Sequence, residues 1–106
     1  MAQIIWTEEA DALFNQFVMN AFVEYGRKTS QRWMNERIKM TDRLENHPTS
    51  YPPEELLSKR SICFRSHQIL GRFKIVHYYD EASDTVFIVD IWDTRMNPKT
   101  LIKRIK

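Results

Sequence analysis

GRFKIVHYYDEASDTVFIVDIWDTRMNP, residues 71–98, is the stretch on which the fold turns. RFKIVHYYD and DTVFIVDIW each alternate with a period of two, and only EAS separates them, short enough for a hairpin. The text after them changes character. Asn97 is a good N-cap, Pro98 suits a first helical position, and Leu101, Ile102 and Ile105 form an apolar edge, so a short amphipathic helix closes the chain. Upstream, SICFRS (61–66) reads as a third strand joined through HQILG, which makes an antiparallel meander.

At the N-terminal end, QIIW (3–6) is a short strand and Thr7 caps a helix whose first turn carries Glu8, Glu9 and Asp11, where the helix dipole favours acids. Ala10, Leu13, Phe14, Phe17, Val18, Ala21, Phe22 and Tyr25 recur at spacings of three and four, and Gly26 supplies the stop. Thr29 or Ser30 then caps a second helix with Trp33, Met34, Ile38, Thr41 and Leu44 on one face, ended by Pro48. The short connection makes the two helices an antiparallel hairpin. HPTSYPPEELLSKR (47–60) reads as a surface loop with at most one helical turn, at 53–57. The predicted order is β-α-α-β-β-β-α, an α+β fold in one domain over residues 1–106, with the hairpin on one face of a small, mainly antiparallel sheet.

Bulk properties narrow the function. No apolar run reaches the roughly 20 residues of a membrane span, and the basic tail KTLIKRIK is too short to hold a membrane surface alone. The opening MAQIIWTEEAD has no basic n-region, so the expected location is the cytoplasm. Cys63, the one cysteine, reads as a structural thiol in a strand. There is no HExxH, CxxC, Gly-rich phosphate loop or GxSxG, which removes zinc proteases, NTPases and serine hydrolases, and no metal or other cofactor is expected. The net charge of +2 is unevenly spread. Residues 1–58 hold six Lys/Arg against nine Asp/Glu, and residues 59–106 hold ten against five, which hints at an anionic partner for the C-terminal half.

Strict alternation puts Phe73, Ile75, His77 and Tyr79 on one sheet face, with Thr85, Phe87, Val89 and Ile91 alternating against Val86, Ile88, Asp90 and Trp92. A second face that mixes Arg65, Lys74, Tyr78, Asp90 and Trp92 is expected to be at least partly exposed. Cations with aromatics suit RNA, because cations hold phosphate and rings stack on bases, yet any solvated sheet face contains the same set. His77 reads as a core or edge histidine, and His47 and His67 fall in loops.

The element order, with IIWTEEADALF, SQRWMNERIKMTDRLENHP and above all residues 71–98, resembles the RelE/ParE superfamily of type II toxin–antitoxin toxins over nearly the whole chain. The resemblance implies a small toxin neutralised by a cognate antitoxin, acting by ribosome-dependent mRNA cleavage in the RelE-like branch or on DNA gyrase in the ParE-like branch. It also implies either a homodimer or a toxin–antitoxin hetero-oligomer, with no membrane partner. Basic positions of the nuclease branch match Lys74, Arg65 and Arg95, with Tyr78 beside them as a candidate catalytic group, and Arg60, Arg72 and Lys99 are candidates for holding RNA or another target. The chain departs from that branch at Ser61 and Cys63, where lysines are found, and it has no tyrosine or histidine after Arg95. A non-catalytic module whose basic sheet face docks an acidic protein or nucleic acid is the alternative.

Overall fold

A computed structural model describes residues 1–105. The chain runs β1 (Gln3–Trp6), α1 (Glu8–Tyr25), α2 (Arg27–Asn46), a 3₁₀ turn (Glu55–Leu57), β2 (Phe64–Ile69), β3 (Phe73–Asp80), β4 (Thr85–Asp93) and α3 (Pro98–Arg104). The sheet order is β1-β4-β3-β2, with β1 parallel to β4 and the other pairs antiparallel. This is the expected α+β order. No helix among the described residues is long and apolar enough to cross a membrane.

The Thr7 hydroxyl accepts from the Ala10 N–H at 3.2 Å, so α1 starts where its cap predicts. Ala10, Phe14 and Ala21 are its buried face, with Phe17 and Val18 partly covered. Gly26, at φ 89°, reverses the chain in one residue, a conformation that favours glycine. The expectation that α2 starts at Thr29 or Ser30 is therefore corrected to Arg27, and the Ser30 hydroxyl donates inside the helix to the Arg27 carbonyl at 2.9 Å. Its buried face is also corrected. Trp33, Met40 and Leu44 face the sheet, whereas Met34 and Ile38, roughly 100° and 140° round the helix from Trp33, are 40% and 65% exposed. Arg37 fills the gap in that stripe by stacking its guanidinium 3.9 Å from the Trp6 ring centroid.

The second strand lies three residues later than SICFRS suggests. Arg72 N–H donates to the Ile69 carbonyl across a tight turn in which Leu70 and Gly71 both have positive φ, so Ile69 pairs with Phe73 and His67 with Ile75. His67 therefore belongs to a strand and not a loop, while Cys63 precedes the strand and is exposed.

A bulge revises the face assignment. Val76 pairs with Asp90 but His77 pairs with Ile88, which leaves Val89 as an extra residue on β4. Alternation restarts beyond it, so Val86, Ile88 and Ile91 all face the helical hairpin. Val89 and Trp92 join Val76, Phe64 and Tyr78 on the opposite face. That second face, expected to be at least partly exposed, is filled: Leu57 of the 3₁₀ turn and Leu101 and Ile105 at α3 pack on Val76 and Trp92. Asn97 caps α3 by accepting from the Lys99 N–H at 3.0 Å, as its sequence predicts, while Ile102 faces outward.

Candidate functional site

The second sheet face and the joint between β4 and α3 hold most of the candidate residues. Lys74 Nζ lies 2.8 Å from Glu54 Oε1. The same carboxylate, which is buried, accepts from the Ser66 hydroxyl at 2.9 Å and the Leu56 N–H at 3.0 Å. Burial pushes the Glu54 carboxyl upward, but the hydrogen bonds from Lys74, Leu56 and Ser66 outweigh it and hold the group below its ordinary value. The Lys74 charge is thus neutralised within the protein.

Tyr78 stands on the same face, stacked on Phe87 at 5.2 Å and edge-on to Phe64 at 5.6 Å, part of an aromatic row across three strands. Arg65 does not join it. It pairs in register with His77 and donates to the Tyr51 carbonyl at 2.8 Å on the hairpin side, so the expectation that Arg65 and Lys74 share a face is overturned. Arg60 donates to the Ile102 carbonyl and ties the loop after the 3₁₀ turn to α3.

Arg95 and Arg72 meet at Asp93. Arg72 Nη2 is 3.2 Å and Arg95 Nη2 3.3 Å from Asp93 Oδ2, and the Arg95 N–H donates to Oδ1 at 3.0 Å. Burial works against ionisation of Asp93, but the Arg95 N–H and the two guanidinium groups hold its carboxyl below the ordinary value. The Arg95 side chain remains 65% exposed. Lys99 is exposed on the first turn of α3 and makes no ion pair among the described residues.

Sequence reasoning missed Arg104, and with it the use of Asp90. Arg104 donates to both carboxylate oxygens of Asp90, at 3.1 and 2.9 Å, and to the Ile91 carbonyl at 3.3 Å. Asp90 is almost fully buried, and that burial pushes its carboxyl upward despite Arg104. An aspartate inside an apolar strand is a signal that a cation must come to it, and α3 supplies one. Asp90 and Trp92, expected to be exposed, are both covered. Among the described residues no cluster of His, Cys, Asp and Glu could hold a metal.

The arrangement is one of neutralised charges and a packed face. Lys74 and Tyr78 are four residues apart on β3, Lys74 beside Trp92 and Tyr78 beside Phe87, and Arg95 lies two residues beyond the end of β4. The cations left exposed or half-exposed in this region are Arg95, Arg72 and Lys99.

No family model and no curated protein matches the sequence. Among solved structures, a chain of the chromosomal ParDE TA system from P. aeruginosa superposes with a TM-score of 0.66 at 14% identity, covering 88% of this chain and 96% of that one. At that identity the two share a fold, and it is the fold that the RelE/ParE resemblance led one to expect: a helical hairpin on a four-stranded mixed sheet.

Proposed function

We propose that this protein is the toxin of a type II toxin–antitoxin pair, held inactive by a cognate antitoxin, and that it arrests growth by docking on DNA gyrase. The fold shared with a ParDE system supports the toxin reading. The observation that carries the choice of target is the Lys74–Glu54 pair beneath a sheet face packed by Leu57, Leu101 and Ile105. A metal-independent nuclease needs an acid, a base and a cation free to meet the transition state. Here the cation on that face is bound to a buried carboxylate, and the space above its neighbours is occupied by α3. Arg95, exposed at the β4–α3 joint, is suited to meet a protein surface.

The test is induced expression in a bacterial host, with and without the neighbouring gene. The expected outcome is arrest relieved by the neighbour, double-strand DNA breaks, loss of supercoiling activity by purified gyrase, and intact transcripts. Breaks in mRNA at the ribosomal A site would replace this reading by the nuclease one. Normal growth would leave the non-catalytic binding module in its place.

A further inference from the structure

We infer that the end of the molecule where α1 turns into α2 is a second binding site, which takes an acidic peptide segment by seating one bulky apolar side chain. A cavity of about 340 Å³ opens there between the helical hairpin and the β2–β3 turn. That volume is at the small end of ligand pockets, which run from roughly 300 to 1,000 Å³. Its floor is aromatic: Phe17 stacks on Trp33 at 5.6 Å, and both pack on Phe73 at 5.1 and 4.7 Å.

One wall is Leu70, held at φ 52°. A left-handed backbone is unfavourable for a branched aliphatic residue, where glycine or asparagine would relieve it. The leucine side chain packs on the core rim and shapes the cavity.

The charges around the opening break a local rule. α1 places Glu8, Glu9 and Asp11 in its first turn, as the helix dipole favours, whereas α2 has no acid there and begins with Arg27 and Lys28. Arg32 lines both the aromatic cavity and an adjoining hollow that Arg27 and Lys28 also line. None of the three has an ion-pair partner among the described residues. Arg72 stands on the cavity's other side, and Glu24 is the one acid that lines it. Like charges beside the positive end of a helix dipole are offset when an anion arrives. A cup with recessed rings at its base, Trp33 buried and Phe17 and Phe73 partly so, accepts an inserted side chain better than a stacked base, which favours a peptide over a nucleic acid. The site lies at the opposite end of β3 from the Tyr78 aromatic row and does not depend on which target the toxin reading assigns.

Selection of random 12-residue peptides displayed on phage against the full chain tests this directly. The expected peptides carry Asp and Glu around a Leu, Phe or Trp. Amide shifts on binding should map to Phe17, Ala21, Leu70 and Phe73. Arg32→Glu should weaken binding by about tenfold with unchanged thermal stability, and Asn20→Trp, which fills the cavity from its exposed rim, should abolish it. No enrichment, peptides without that pattern, shifts elsewhere, indifference to both variants, or displacement by a 12-nucleotide oligothymidylate would each overturn the inference.

Discussion

Lys74 Nζ sits 2.8 Å from Glu54 Oε1, so a strand lysine that the RelE/ParE resemblance matches to a nuclease position is the counter-ion of a buried loop carboxylate. Lys74→Ala should therefore cost on the order of 3 kcal/mol at neutral pH, because it strands a buried charge. The Glu54 carboxyl is depressed in the fold, so its contribution is present above the ordinary carboxylate range and is lost as pH falls through the folded value. The deficit of Lys74→Ala in urea melts should shrink toward acid pH. A double variant, Lys74→Met with Glu54→Gln, should lie within about 1.5 kcal/mol of the wild type. Growth arrest by that double variant would separate a structural Lys74 from a catalytic one.

Arg104→Ala should lower stability by about 2 kcal/mol, less than full stranding of a buried charge because Arg104 is a third exposed. The Asp90 carboxyl is raised in the fold, so this group's contribution is fullest at acid pH and declines as pH rises through the folded value. The cost of Arg104→Ala should accordingly be greatest near neutrality. Asp90→Asn, which keeps the shape and an acceptor for Arg104, should cost less in the same melts.

His77 is fully buried, edge-on to Tyr51 at 5.7 Å, and burial pushes its imidazole down to about 4. The groups around it are cations or neutral: Arg65 and His67 on β2, Tyr51 in the loop, and Arg43 over the Tyr51 ring from α2, with Glu36 of α2 reaching only His67. A depressed histidine leaves the unfolded chain with the extra proton, so stability should fall by about 3 kcal/mol as pH drops from 6.5 toward 4. His77→Leu should flatten most of that slope in thermal melts across the range. The remainder should follow His67, which burial also shifts downward, and toward the acid end the depressed Glu54 and Asp93 carboxyls.

Arg95→Ala should change stability by less than about 0.5 kcal/mol, since the Arg95–Asp93 pair is exposed on the arginine side. Any loss of growth arrest in that variant then reports a contact with the target. Full arrest with Arg95→Ala would remove this residue from the docking surface.

The strong local signals were legible: the Thr7 and Asn97 caps, the Gly26 reversal and the two long alternating segments each specify their element without reference to the rest of the chain. Three features were hidden for physical reasons. The Val89 bulge inserts one residue into an unbroken apolar run, and alternation alone cannot detect where the phase changes. The start of β2 depends on pairing with β3 across the Leu70–Gly71 turn, because SICFRS and FRSHQI are equally strand-like by composition. The use of Lys74 and Arg104 depends on partners 20 and 14 residues away, Glu54 in a loop and Asp90 in a neighbouring strand. The residue types of the candidate site were thus readable, but the burial of Asp90 and Trp92 and the internal pairing of Lys74 were not.

The parallel pairing of β1 with β4 also sets a schedule. Gln3 meets Thr85, so the first strand must wait for the last before the sheet has its outer edge, while the helical hairpin between them needs only local contacts. Local elements form quickly and distant pairings slowly. During synthesis, then, Phe14, Trp33 and Met40 present an uncovered apolar face until β3 and β4 have emerged. A nascent chain of this topology has no finished surface to offer a target, and it is at its most adhesive in the interval just before it acquires one.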